Sequence, residues 1–263
     1  MAETADSRYF TLIEQGEVHA PAPLGVRSIL IAGERIVRIG EIDAQALERL
    51  GLGLERINAR GCLIIPGFVD PHQHLLGAGG EQGFASRMPP VDVNELARAG
   101  ITTVVGCLGT DTVTRTLVGL LGQVRQLDAQ GVSAFMYTGG FQVPPPTITG
   151  SVMSDLTLID KVIGVGEIAI SDVRASQPAL AELARLCADA WVGGTLGGKA
   201  GVTHFHVGPG RERLAPLRGL LEHHEIVPNA LYATHVHRTE ALFDEAIRLA
   251  QRGVYVDVDT IDE

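Results

Sequence analysis

The stretch Leu63-Ile64-Ile65-Pro66-Gly67-Phe68-Val69-Asp70-Pro71-His72-Gln73-His74 is an apolar run that ends in a His-x-His pair. On a strand, alternate residues share a face, so His72 and His74 both turn an imidazole toward the same side, which suits a metal ion. Two more apolar stretches end in the same pattern, Val202-Thr203-His204-Phe205-His206 and Tyr232-Ala233-Thr234-His235-Val236-His237. Three strand ends carrying paired histidines, with helical segments between them, predict ligands converging at the C-terminal mouth of a parallel β/α barrel.

Around these ends, strand patterns at 63–69, 101–107, 132–138, 162–170, 202–207, 231–236 and 254–258 alternate with helix patterns near 92–99, 112–129, 177–192, 211–224 and 239–252. Such alternation favours a parallel sheet over a sandwich or a bundle. In the last helix, Leu242, Ala246, Leu249 and Ala250 form an apolar stripe. Upstream, Phe10-Thr11-Leu12-Ile13 and Gly16-Glu17-Val18-His19 read as short strands, and Ser28-Ile29-Leu30-Ile31, Ala32-Gly33-Glu34 and Arg35-Ile36-Val37-Arg38-Ile39 read as a hairpin. The expected fold class is α/β: a small N-terminal β domain over residues 1–62, then an incomplete TIM-like (β/α)8 barrel over residues 63–263. Only seven strands are counted where a closed barrel needs eight, and the sequence stops at Asp262-Glu263 with no helix after the seventh. Either the fold is not a full barrel or the chain is incomplete. An unclosed sheet exposes two edges and an apolar interior, which predicts poor solubility or association with another chain, and a homo-oligomer is expected.

The 263 residues can bury a core without staples, and the three cysteines, Cys62, Cys107 and Cys187, are odd in number and widely spaced. They read as small buried hydrophobes in a reducing compartment. The polar, acidic start from Met1 to Phe10 is no secretory signal, and no apolar run is long enough to span a bilayer, so a cytoplasmic protein without a membrane partner is expected. A net charge of −10 and a pI near 5.4, with no stripe of Lys and Arg, argue against a nucleic-acid partner.

Pro66-Gly67-Phe68-Val69-Asp70-Pro71-His72-Gln73-His74 after a hairpin-rich unit resembles the amidohydrolase superfamily of metal-dependent hydrolases and, more narrowly, the isoaspartyl dipeptidase family. The likeness runs on in family order through Gly77-Ala78-Gly79-Gly80-Glu81, Val105-Gly106-Cys107-Leu108-Gly109-Thr110-Asp111 and Thr147-Ile148-Thr149-Gly150-Ser151. It continues in Ile170-Ser171-Asp172-Val173-Arg174, Gly193-Gly194-Thr195-Leu196-Gly197-Gly198-Lys199 and Thr234-His235-Val236-His237-Arg238. The resemblance implies a metal-dependent hydrolase barrel with two zinc ions, one held by His72 and His74 and the other by His206 and His235. It implies a bridging group from the fourth barrel strand, a carboxylated lysine in some members. Here Glu167 in Val165-Gly166-Glu167-Ile168-Ala169 takes that position, Lys161 lying too far upstream. It also implies a small dipeptide substrate with one ammonium and two carboxylates, met by Glu81, Arg174 and Arg238, with Thr110 adding a hydroxyl.

Two features depart from the pattern. The family's general base, an aspartate ending the eighth strand, is absent from these 263 residues, which leaves the activity of this chain open and suggests C-terminal truncation. Phe141 stands where the family more often has a tyrosine, so no phenol can donate to an oxyanion. His204 and His237 read as core or rim packing, and Asp257 and Asp259 as strand-end acids facing solvent. The alternatives are an amidohydrolase acting on cyclic amides or N-acyl amino acids, and a non-catalytic metal-binding protein.

Overall fold

A computed structural model of the chain describes residues 8–51 and 53–259; most of the acidic start and the end at Asp262-Glu263 lie outside them. The chain divides into two compact units, Met1–Gly67 and Phe68–Glu263.

In the first unit, β1 (Arg8–His19) runs antiparallel to β2 (Pro23–Ala32), which turns through Gly33 into β3 (Arg35–Gly40). Gly33 has φ +56°, a turn conformation that costs glycine little. The two short strands expected at 10–13 and 16–19 are one strand, interrupted by a register shift between Ile13 and Gly16. A short helix, α1 (Ala44–Arg49), is capped by Asp43, which accepts from the Ala46 N–H at 3.1 Å. β4 (Gly53–Asn58) and β5 (Leu63–Ile64) then both pair with β1 in parallel. Leu12, Val18, Ile29 and Ala59 form this unit's core.

The predicted strand 63–69 is therefore divided, its first residues pairing with β1 and its last opening the second unit at β6 (Phe68–Gln73). Pro66, which has no N–H for a ladder, separates the two pieces. Next come α2 (Val93–Arg98), β7 (Ile101–Gly106), α3 (Leu117–Ala129), β8 (Ser133–Thr138), α4 (Val152–Leu158) and β9 (Val162–Ile170). They are followed by α5 (Leu180–Gly197), β10 (Val202–Val207), α6 (Ala215–His223), β11 (Leu231–Thr234), α7 (Glu240–Ala250) and β12 (Tyr255–Val256). The seven strands pair in sequence order and in parallel, as a curled half-barrel. Among the described residues, β6 and β12 end that order and do not pair with each other. Helix α4 was not expected; Ser151 caps it by accepting from the Ser154 N–H at 3.1 Å.

Both faces of the sheet are covered, which is why its strands read as near-continuous apolar runs. Outward, Val104, Met136, Phe205 and Ala233 pack with Leu120, Val124, Leu183 and Leu217 of the helices. Inward, Val105, Tyr137, Val202 and Tyr232 form a second cluster that includes Cys107. On α7 the buried set is Leu242, Glu245, Ala246 and Leu249, with Ala250 exposed. Glu245 tolerates burial because Arg213 Nε and Arg218 Nη1 donate to its two oxygens at 2.6 and 2.5 Å. No helix among the described residues is long and apolar enough to cross a membrane.

Candidate metal centre and substrate site

Four strand ends deliver the predicted cluster to one place. His72 lies on β6 with His74 just beyond it, Glu167 on β9, His206 on β10, and His235 on the residue after β11. The two oxygens of Glu167 face different imidazole pairs. Oε1 lies 2.8 Å from His206 Nδ1 and 3.2 Å from His235 Nε2, whereas Oε2 lies 3.4 Å from His72 Nε2 and 3.6 Å from His74 Nε2. Glu167 is fully buried, and its Oε2 has no hydrogen-bond partner. A buried carboxylate oxygen left in this way is costly unless something else satisfies it.

The backbone of β9 is irregular where Glu167 sits. Thr203 pairs with Val165, but Phe205 pairs with Ile168, so three residues of β9 oppose two of β10. A second shift separates Met136 from Tyr137 opposite Val162 and Gly164. These bulges break the alternation, so that Val162, Val165 and Ile168 all pack in the outer core while Glu167 joins the imidazoles. Gly166 is required by close approach: a Cβ there would lie 2.7 Å from the His204 carbonyl oxygen. His235 has φ +62°, a left-handed conformation that costs a non-glycine residue about 1 kcal/mol or more, and this turn puts its ring beside Glu167.

Electrostatics couple the cluster. Burial opposes the Glu167 charge, but the charge of His72 and hydrogen bonds from His206 and His235 outweigh it and hold the carboxyl well below the usual range. Cys107, 1% exposed and next after β7, has Sγ 3.8 Å from His74 Nδ1. Its negative form raises His74 to about 9; in return the two imidazoles overcome burial and lower the thiol to about 7. One donor atom from each of His72, His74, Cys107 and Glu167 lies within 4.8 Å of the other three, and the same holds for Glu167, His206 and His235. Two nitrogen-rich sets sharing one carboxylate are a donor chemistry suited to divalent ions such as zinc, so the residues fit the metal centre expected of them.

The residues expected to meet substrate also gather. Glu81 Oε1 accepts from Thr110 Oγ1 at 2.9 Å and from Arg174 Nη1 at 3.0 Å. Arg174 is gripped by Asp172, whose oxygens accept from Nε and Nη2 at 2.9 and 2.7 Å, and lies over the Phe141 ring. Arg238 donates to the Val207 carbonyl at 3.0 Å. Burial and then the charge of Arg174 lower the Arg238 pKa, which puts the two guanidinium groups within electrostatic reach. Phe141 is buried with its ring 4.5 Å from that of His206. Lys161 is tied to Asp128 at 2.7 Å, outside the cluster.

Several neighbours were missed or misread in the sequence. Asp172 accepts from His206 Nε2 at 3.0 Å and is buried. Asp259 meets His235 Nδ1 and lies 3.5 Å from His237 Nε2, so it is no idle strand-end acid. Asp257 accepts from Tyr232 at 2.9 Å and Thr234 at 3.1 Å. Arg115, 7% exposed, donates to the carbonyls of Leu76, Ala78 and Gly79 and so pins the glycine-rich loop that carries Glu81. Cys62 is exposed, not buried. His204 is core as expected, stacked between Tyr137 and Tyr232. A hollow of about 50 Å³ joins the two parts of the site, touching His74, Cys107, Glu81 and Thr110. A larger one of about 590 Å³, lined by Pro71, Tyr137, Trp191 and Tyr232 among others, touches none of the five cluster residues.

No family model matches the chain. In structure it is similar to the beta-aspartyl dipeptidase of Fervidobacterium islandicum AW-1 in complex with beta-Asp-Leu dipeptide, with TM-score 0.92 and 42% identity over 97% of this chain and 65% of that one. A second structure of that enzyme gives the same score and identity over 96% of this chain and 68% of that one. The D-hydantoinase of Bacillus sp. AR9 shares the fold, with TM-score 0.60 and 19% identity over 95% and 56% of the two chains. In sequence, the imidazolonepropionase of Anaeromyxobacter dehalogenans is 32% identical over 125 residues, 45% of this chain and 29% of that protein. A curled parallel sheet with histidines and a shared carboxylate at its strand ends is amidohydrolase architecture. Within that superfamily, the chain belongs to the beta-aspartyl dipeptidase family. It spans about two thirds of the length of the solved family member and under a third of the curated relative.

Proposed function

We propose that the chain forms the metal-binding and substrate-reading part of a zinc-dependent dipeptidase that cleaves β-aspartyl dipeptides, in which His72, His74, His206 and His235 would hold two zinc ions and Glu167 would offer one oxygen to each. The division of the Glu167 oxygens between His72/His74 and His206/His235 carries this reading. Bound zinc supplies Lewis-acid chemistry, making hydroxide available near neutral pH and polarising an amide carbonyl. The chain's own residues do the rest. Asp259 accepts at His235 Nδ1, which fixes the ring so that Nε2 faces the cluster. Arg174 and Arg238 offer planar forks to two carboxylates, and Glu81 with Thr110 receives the ammonium. Phe141 closes the wall beside His206 and excludes water without donating a hydrogen bond.

All three cysteines are free, which supports a cytoplasmic location. A homo-oligomer belongs to the same proposal, and light scattering of the chain tests it. The test of function is calorimetry with the zinc-loaded chain against β-aspartyl-leucine, α-aspartyl-leucine, a hydantoin and an N-acetyl amino acid, with product analysis of each mixture. Selective binding of β-aspartyl-leucine is expected. Tighter binding of the hydantoin or the N-acetyl compound would move the chain to another amidohydrolase activity.

A further inference from the structure

The cysteine at the end of β7 stands apart from the other two. Cys62 is exposed, and Cys187 packs in the outer core among Leu183 and Leu186. Cys107 is buried, and its sulfur falls in one set of donor atoms with His72, His74 and Glu167. A separate observation marks the same spot as a ligand position: the Glu167 oxygen on this side, Oε2, is the buried one without a hydrogen-bond partner. The oxygen on the far side, Oε1, already accepts from two imidazoles.

We propose that Cys107 is a protein ligand of the ion held by His72 and His74, as a thiolate. This rests on the metal-centre reading above and deepens it. Two nitrogens, one sulfur and one oxygen make a four-donor set of the kind zinc takes in tetrahedral sites. On ligation the S–H bond breaks, its proton leaves to solvent and a sulfur–metal bond forms. The thiol makes long contacts, 3.7 Å to the Gln73 carbonyl and 3.8 Å to His74 Nδ1. The far set, Glu167 with His206 and His235, contains no sulfur. The two positions are therefore unequal: the thiolate position prefers zinc or cobalt to magnesium or manganese, and the other takes harder ions more readily.

The experiment loads the chelator-treated full chain with cobalt in a Cys62→Ser, Cys187→Ala background, so that Cys107 is the only thiol. A near-ultraviolet thiolate-to-cobalt charge-transfer band is expected, saturating at one equivalent. A further Cys107→Ser change should abolish that band and weaken one of the two ions by at least about tenfold, the scale on which even outer partners of metal ligands act. Cobalt that binds without the band overturns the inference and leaves the dipeptidase reading standing. Failure to bind cobalt at all overturns both. Appearance of the band without binding of β-aspartyl-leucine upholds the ligation and removes only the substrate assignment. The band in the Cys107-only protein is decisive even where Cys107→Ser fails to fold.

Discussion

Replacing Glu167 by glutamine separates a shared bridge from two unrelated ion sites. Each of its oxygens faces a different imidazole pair, so the unaltered chain should take two ions and both should weaken together in Glu167→Gln. His72→Ala removes a donor from one set only and should weaken one ion. An ion that binds only the folded chain stabilises it by about 2.7 kcal/mol when its free concentration is 100 times its Kd. In a unit the size of Phe68–Glu263, each kcal/mol moves the melting midpoint by about 2–4 °C. Zinc at that concentration should therefore raise the midpoint of the unaltered chain by about 11–22 °C for two ions, and that of His72→Ala by about half as much. Glutamine keeps the shape of the side chain but not the charge that two cations share. If each ion weakens about a hundredfold, the stabilisation falls to about 0.4 kcal/mol per ion and the shift to roughly 2–3 °C in all. The assay is thermal denaturation of chelator-stripped protein in buffered zinc, with metal content measured on the same samples. A Glu167→Gln protein that still holds two ions with the full shift would refute the bridge, as would a variant that loses one ion and keeps the other unchanged.

Four further outcomes follow from single side chains. Arg174→Met should raise the Kd for β-aspartyl-leucine at least about thirtyfold, the factor that corresponds to 2 kcal/mol for a lost charge-pair hydrogen bond, and Arg174→Lys should recover only part of it in calorimetry. Asp155 is fully buried and accepts from Thr138, from Thr149 Oγ1 and from the N–H groups of Ile148 and Thr149, so Asp155→Ala should cost about 3 kcal/mol or more in urea denaturation. Burial raises the Glu245 pKa, but the Arg213 hydrogen bond and the Arg218 charge more than offset this and hold it below 4.5. Its contribution to stability is then present above about pH 4.5 and lost as pH falls through the depressed folded value, so Glu245→Gln should flatten the acid limb of a stability–pH curve and leave the rest parallel. A Cβ at Gly109 would lie 2.9 Å from His74 Cε1, so Gly109→Ala should displace that ring and weaken zinc about tenfold, as read by competition with a chelator.

The histidines were legible because a parallel sheet buried on both faces writes its strands as apolar runs, and polar residues at their ends then stand out. His72, His74, His206 and His235 could be read in that way, each one residue from the C-terminal end of its strand. Glu167 could not. It lies within β9, where two bulges break the alternation from which a facing side would be inferred, and only the family resemblance singled it out. Asp172 and Asp259 escaped for another reason: their partners, His206 and His235, are 34 and 24 residues away, and no local pattern announces a pairing across a strand and a helix. Glu245 was passed over because an acid on the buried face of a helix makes sense only once Arg213 and Arg218 are seen to reach it. The split at Pro66 was missed because an apolar run carries no mark of which sheet each half joins.

Charge accounts for why these particular residues surround the centre. With two zinc ions bound as proposed, four positive charges enter a buried site, and Glu167, Asp172, Asp259 and a Cys107 thiolate supply four negative ones around the imidazoles. Neutrality at the centre lowers the cost of keeping ions away from water. Beyond the centre, Arg174 pairs with Glu81 at 3.0 Å as well as with Asp172 at 2.7 Å, and Arg115 is paired with Asp111 at 3.6 Å and with backbone carbonyls. A β-aspartyl dipeptide, with two carboxylates and one ammonium, brings one negative charge and matches the proposed set of two guanidinium groups and one carboxylate. The α-aspartyl isomer brings the same charges, so charge cannot explain a choice between isomers in the proposed site. That choice falls to spacing, the distance from the Glu81 and Thr110 oxygens to the two guanidinium forks. Glu81→Gln should therefore weaken both isomers alike, and Thr110→Val, which leaves the charge and takes away the 2.9 Å bond that holds Glu81 in place, should blur the distinction between them.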